Sequence, residues 1–550
     1  MGPNARERFD FRLAGPFLIV ISKQLRVLNT PTKTAVPISD FAIIVNPNDN
    51  VAVVKSETFD GLNLTLPSGG SLTLKSAVPP GHRFAIDDIP SGTLVFQYGQ
   101  PIGTSLGITT GEWISHDNMS DDVPIVRNLP EDLHNPAPDY FADSEIAAFD
   151  GFRRPDGRVG TRNYVLIVPT SMCASHEATQ ISMMAEFMYY SRETFPNVDG
   201  VVAIPHNKGC GCQDGSTLEV MMRTLSNYAD HPNVGGVILI DLGCEKTNLG
   251  FVERYLTKRE KPIEKPVYKI GIQDVGGTQK AIEIGLKYVE EMLPEVNRCV
   301  RERVPIGELV LGVKCGSSDG FSGISANPAL GYCSDLLVRS HGTVLLTEVP
   351  EFCGAEHVLA SRAKDTETGR KIFRMVDWYK EYASKFGAVL NQNPSTGNKA
   401  GGLLNITIKS LGAIAKAGTT RVEDCVEYAE VPSKRGVNLM QGPGYDQEST
   451  PGLVAAGATV VVFTTGNGTT IGNAIAPVIK LASNNRVFER MSQDIDISAG
   501  NIIEGTESIT EVGTRLFEYV RRVATGEIQA KAEILKHREF QFWAEQTVSL

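Results

Sequence analysis

Hydrophobic runs of membrane-spanning length are missing from this 550-residue sequence. The longest early one, Phe17–Ile21, is far short of the roughly 20 apolar residues a bilayer requires. Positive charge is not in excess either: 53 Lys and Arg stand against 64 Asp and Glu, a net charge of −11, which argues against a nucleic-acid partner. Cysteine is sparse, with nine residues, an odd number. With acidic residues Glu7 and Asp10 where a secretory n-region would be, this reads as reduced thiols in a cytoplasmic protein and excludes a disulfide framework. No CxxC pair occurs, so a zinc ribbon has no support, and no Walker A lysine motif occurs. The loops Gly209–Gly215 and Gly466–Gly472 are each one residue too long for GxGxxG, which disfavours a dinucleotide.

What is present divides the chain. Residues 1–38 read as a leader. Residues 39–120 carry short β-branched runs punctuated by Gly and Pro, as in Pro67-Ser-Gly-Gly70 and Pro79-Pro-Gly81, and predict a small β domain. Residues 121–150 are rich in proline and acids and read as a linker. From Gly151 onward apolar strands alternate with helical stretches, which predicts two α/β domains with mostly parallel sheets, over 151–300 and 301–550. Asn327 and Pro328 are expected to open a helix as N-cap and first turn.

In open parallel sheets ligands bind beyond the carboxyl ends of the strands, so the residues after each apolar run are the candidates. His206 and Cys210 follow one such run, Cys244 and Glu245 a second, Cys315 and Asp319 a third, Glu348 and Glu351 a fourth, and Thr465 and Gly466 a fifth. Thiolates, imidazole and carboxylates in these places suit a metal or a catalytic site, so Cys210, Cys244 and Cys315 are expected to act at one metal centre. Glycine loops present backbone N–H groups to an anion, and Arg153, Arg162 or Lys399 would hold a carboxylate. His82 stands in a turn of the β domain.

Longer motifs give a resemblance. The segments Asp49-Asn-Val-Ala52, Gly81-His82 and Tyr98–Gly103 come first, and Gly151-Phe-Arg-Arg-Pro-Asp-Gly-Arg-Val-Gly-Thr-Arg-Asn163 follows. Then come Leu242-Gly-Cys-Glu245, Lys314-Cys-Gly-Ser-Ser-Asp319, Asn393-Pro-Ser-Thr-Gly-Asn-Lys399 and Phe463-Thr-Thr-Gly-Asn-Gly468. In this order they resemble the altronate/galactarate dehydratase family from about residue 40 onward. The resemblance implies a small N-terminal β-clip (SAF-like) domain before the two α/β domains. Two departures stand out: Ser115 and Asp117 occupy the places of twin histidines in altronate-type members, and Asn467 replaces an arginine. The pair Trp113-Ile114 is more similar to the galactarate branch.

What the resemblance implies is loss of water from a polyhydroxy carboxylate, giving a 2-keto-3-deoxy acid. The expected cofactor is Fe(II), with Mn(II) as a substitute, acting as a Lewis acid. By position and chemistry His206 or Glu245 would be the base and Asp319 or Glu348 the acid, with His82, Arg153, Arg162, Lys399, Thr465 and Gly466 binding substrate. An iron–sulfur cluster on the strand-end thiols is the alternative cofactor. Elimination of sulfite from a sulfonated hydroxy acid, or sugar-acid binding without catalysis, are the alternative functions. The partner is a small sugar acid, with neither nucleic acid nor membrane, and the protein is expected to be a homo-oligomer.

Overall fold

The computed structural model describes residues 35–250, 252 and 264–544. The first 34 residues of the expected leader lie outside them. The rest of that leader is already structured: Val36–Pro37 pairs in parallel with Asn63–Thr65, so the β module begins earlier than residue 39. Three small three-stranded sheets make up this module. Its central strand, Val51–Val54, is buried along its whole length, because both faces of so small a body are covered.

The Pro-rich segment is not a free linker. Arg127 forms a two-pronged ion pair with Asp377 at 2.7 Å, Asn135 donates to the Ala363 carbonyl at 2.6 Å, and the Phe141 amide donates to the Arg339 carbonyl. Composition predicts the lack of regular structure here. It does not reveal that side chains fasten the segment along the C-terminal domain.

Two parallel sheets follow. The first holds β1 (Tyr164–Pro169), β2 (Gly200–Ala203), β3 (Val234–Asp241) and β4 (Val267–Gly271), in the order β2-β1-β3-β4. The second holds β5 (Val310–Gly316), β6 (Thr343–Leu346), β7 (Val422–Val426), β8 (Gly436–Met440), β9 (Val460–Thr465), β10 (Val478–Ala482) and β11 (Ile497–Ser498). Its order is β7-β8-β6-β5-β9-β10-β11, with every pairing parallel. Strand order therefore reverses between β1 and β3 in one sheet and between β5 and β9 in the other. Those two places are where an open sheet leaves a crevice.

The helix after β5, α1 (Ala326–Arg339), corrects the expected cap. Its N-cap is Ser325, and Asn327 lies inside the first turn. The Asn327 amide is used elsewhere: it donates to the Gly412 carbonyl at 2.9 Å and accepts from Thr464 Oγ1 at 2.6 Å, which locks the helix to β9. Among the described residues no helix is long and apolar enough to cross a membrane.

Candidate active site

The β5–β9 crevice is organised around Asp319. The chain leaves β5 through Ser317, whose φ of 49° turns it sharply over the strand ends. Asp319 Oδ1 then accepts from Ser322 N and Oγ, both at 2.9 Å, from Phe321 N at 3.2 Å and from Ser483 Oγ at 2.9 Å. Its Oδ2 accepts from Asn484 Nδ2 at 3.0 Å. Burial raises the Asp319 pKa, and the Ser322 and Ser483 hydroxyls pull it partly back. Asn484 and Ser483 come from the end of β10, so the loops after two strands, β5 and β10, fix one carboxyl.

Asp319 lines a cleft of about 530 Å³ that is shared by two domains. Lys55 and Pro80 of the β module form one wall, and Gly466, Asn467, Arg486 and Arg490 form the other. The module is seated by close backbone approach. A Cβ on Gly81 would lie 2.5 Å from the Gly401 carbonyl oxygen, and one on Gly320 would lie 2.1 Å from the Gly81 carbonyl oxygen. Arg83, fully buried, donates to the Gly402 carbonyl at 2.6 Å. His82 bonds the Ala400 carbonyl through Nε2 at 3.1 Å, while its buried Nδ1 has no hydrogen-bond partner. Burial lowers its pKa, so it is held neutral at the seam. Thr465 accepts from the Gly468 amide through Oγ1 and shapes the loop instead of facing the cleft, and Lys399 does not line it.

Behind this crevice lies a buried charged network. Lys314 bonds Glu348 Oε1, and it bonds Asp446 Oδ1 at 2.7 Å. Lys416 donates to Glu348 Oε2 at 2.8 Å and to Cys315 Sγ at 2.7 Å, and Lys409 pairs with Glu351 at 2.7 Å. The Cys315 thiol lies 3.3 Å from Glu351 Oε2. Glu348 adopts φ 76°, a left-handed conformation costly for a side-chain-bearing residue, which this web of bonds holds in place. Burial and the two glutamates push the Cys315 thiol up to about 12. Burial opposes ionisation of Glu351, yet Lys409, Lys416 and Lys314 bring it down to about 2. The segment from Asn393 to Lys399 joins network to cleft: Asn393 accepts from Lys409, and Asn398 donates to the Ser318 carbonyl. Lys416 and Asp446 carried no motif signal. Only the fold brings them to β5.

Cys315, Glu348 and Glu351 are the one set among the described residues with three donor atoms within 4.8 Å of one another. The donor types suit Fe(II), but the charge does not. Three lysine ammonium groups already occupy the carboxylate oxygens and the sulfur, and they offset Glu348, Glu351 and Asp446. A dication would have to displace them against their repulsion, so this set does not fit the expected Fe(II) or Mn(II).

The expected trio of Cys210, Cys244 and Cys315 is not brought together. Cys315 is buried in the network, whereas Cys210 and Cys244 stand exposed at the rim of the first sheet. His206 and Glu245 share that rim, and neither is poised as a base. His206 bonds the Pro169 carbonyl through Nε2 at 2.9 Å and accepts the Lys208 amide at Nδ1, and burial lowers its pKa to about 4. Glu245 accepts from Thr170, Ser171, Leu242 and Gly243, and these bonds outweigh its burial and lower its pKa. Both residues tie the strand-end loops to one another. Arg153 and Arg162 do not join the site either. They precede β1, on the side of its amino end and away from the strand-end rim, where Arg153 pairs with Glu302 and the buried Arg162 clasps Glu533 at 2.6 and 2.8 Å.

Comparison with known proteins agrees with this architecture. The family description "Altronate/galactarate dehydratase SAF domain" matches residues 40–122, "D-galactarate dehydratase/Altronate hydrolase, second domain" matches 151–297, and "D-galactarate/Altronate dehydratase, C-terminal" matches 306–548. Galactarate dehydratase (L-threo-forming) of Escherichia coli is 37% identical over 498 residues, covering 88% of this chain and 93% of that one. Altronate dehydratase of Bacillus subtilis is 35% identical over 494 residues, covering 88% and 95%. The (2R)-sulfolactate sulfo-lyase subunit beta of Chromohalobacter salexigens is 32% identical over 395 residues, covering 71% and 96%. With matches spanning all three domains, the chain belongs to the altronate/galactarate dehydratase family and is an enzyme of the hydro-lyase class.

Proposed function

We propose that this enzyme dehydrates a sugar dicarboxylate of the galactarate type in the cleft between the β module and the β5–β9 crevice, giving a 2-keto-3-deoxy acid. The observation that carries this reading is the cleft's charge layout. Lys55 stands beside Glu57 on one wall, Arg486 and Arg490 stand with Glu504 on the other, and Asp319 lies between them, so a cation is present on each side. Two carboxylates need two cationic anchors, and a monocarboxylate would leave one unpaired. Although Asn467 replaces the family's arginine, Arg490 donates to the Asn467 carbonyl at 2.7 Å, so a guanidinium still reaches that rim.

In this reading the Asp319 carboxylate takes the proton from the carbon beside a substrate carboxylate and passes it to the neighbouring hydroxyl, which departs as water, and the resulting enol becomes the keto acid. Burial raises the Asp319 pKa, which makes its carboxylate a stronger base, and Asn484 donates to Oδ2 and orients it. The β module is part of the active site here, because Lys55 belongs to it.

The likeness to a sulfo-lyase subunit keeps elimination of sulfite as the competing reading. The wider coverage of the dehydratases, 88% of this chain against 71%, favours loss of water. The test is an anaerobic screen with ferrous iron, following keto-acid and sulfite release from galactarate, altronate and sulfolactate. A higher kcat/KM on galactarate is expected. A preference for altronate, or release of sulfite alone, overturns the proposal.

A further inference from the structure

The rim of the first sheet holds groups that the cleft does not use. Four of the nine cysteines gather there: Cys173 follows β1, Cys210 and Cys212 follow β2, and Cys244 follows β3. Cysteine is among the residues most often buried, yet Cys173, Cys210 and Cys244 are all exposed. Cys212 differs, being half-buried and packed against the apolar core.

The three loops bearing the exposed thiols are physically joined. The Met172 amide donates to the Lys208 carbonyl at 2.6 Å, and a Cβ on Gly209 would lie 3.4 Å from the Ser171 Cβ. Glu245, next to Cys244, accepts from Thr170 and Ser171. The buried side chains of His206 and Glu245 thus act as ties, and they leave the sulfurs as the reactive groups of the rim. The strand order reverses here too, so this is a second crevice, separate from the one that holds Asp319.

We infer that this rim binds an iron–sulfur cluster through Cys173, Cys210 and Cys244. A single zinc or iron ion needs its ligand atoms drawn together around one centre, and among the described residues no three thiol, imidazole or carboxylate donors on this rim lie within 4.8 Å of one another. A cluster spreads its thiolates over several irons and so suits sulfurs set wider apart on three loops. Three thiolates leave one iron of a four-iron cluster to a non-protein ligand. The inference rests on the first sheet alone and does not depend on the substrate reading.

The test uses the full chain, purified without oxygen and reconstituted with ferrous iron and sulfide. Iron, acid-labile sulfide and visible absorbance are measured, not turnover. Wild type should take up iron and sulfide together with a brown chromophore. Cys173→Ser, Cys210→Ser and Cys244→Ser should each lose most of both, while Cys212→Ser and Cys315→Ser keep them. Should a rim variant fail to fold, alkylation of wild type decides: the three rim thiols should be protected when loaded and reactive after cluster removal. Iron without sulfide, tight zinc in place of iron, loss confined to Cys315→Ser, or unchanged alkylation overturns the inference. Failure of galactarate turnover with the cluster intact would overturn the proposed substrate and leave this inference standing.

Discussion

Gly466 sits so close to Asp319 that a Cβ on it would lie 2.4 Å from the Asp319 Cγ and 2.5 Å from the Asp319 amide nitrogen. The glycine at the end of β9 is therefore what lets the carboxyl after β5 reach the cleft floor. Gly466→Ala should move Asp319 while leaving the sheet intact. Misplacement of a catalytic group by about 1 Å costs on the order of a hundredfold, so kcat should fall at least tenfold. Steady-state kinetics with a far-ultraviolet spectrum check this, and unchanged kcat would remove Asp319 from the chemistry.

Lys416→Met should be severely destabilising. It strips Glu348 Oε2 and Cys315 of their shared ammonium in a fully buried site. Breaking one partner of a buried pair costs about 3–5 kcal/mol. Arg153→Ala, which removes a half-exposed pair with Glu302, should cost at most about 1 kcal/mol. Urea unfolding of both variants measures the contrast.

The contrast also marks what the sequence made legible. The apolar runs before Pro169, Asp241, Gly316 and Thr465 announced buried parallel strands, and the polar residues after them announced the crevices. Strands β7 and β10 were not legible, because Glu423 and Asp424 interrupt one and Lys480 the other. The fold gives Lys480 its own solution, with its ammonium bonded to the Thr470 and Ile471 carbonyls. The same limit applies to the site. Asp319 and Gly466 could be named from strand-end position, but the network around Glu348 is built from Lys314, Lys416 and, through Lys314, a helix start at Asp446, which have no common spacing. Arg162 sits in a strong motif, yet its role is a clasp to Glu533, because a motif does not say which end of a strand it occupies.

Acid should weaken the fold through His206. Its folded pKa of about 4 lies below the ordinary 6.5, so between those values the unfolded chain binds a proton that the folded chain refuses. The contribution is complete above about pH 6.5 and is lost as pH falls towards 4, amounting to about 3 kcal/mol. His231, also buried with a lowered pKa, adds in the same direction. Denaturation midpoints from pH 7 to 4 should fall less steeply for His206→Gln than for wild type. Equal slopes would place the acid sensitivity elsewhere.

Arg490→Ala tests the anchoring wall. A charge-assisted hydrogen bond to a carboxylate is worth about 1.5–3 kcal/mol, so KM for a dicarboxylate should rise about tenfold or more, with a smaller change in kcat. Arg490→Lys should recover part of the loss. A fall in kcat alone would show that the guanidinium acts on the reaction and not on binding.

The fastened segment from Asp121 to Ala147 has a kinetic consequence. Because Arg127, Asn135 and Phe141 pin it to the C-terminal domain, the β module is held on a short leash beside the wall it must complete. Closing the cleft is then a unimolecular event, with an effective concentration set by the length of chain left free. Severing the leash at an exposed site such as Ala137 would turn one enzyme into two chains. Their activity would depend on dilution, since the seam at Gly81, Arg83 and Gly402 would have to find its partner by collision.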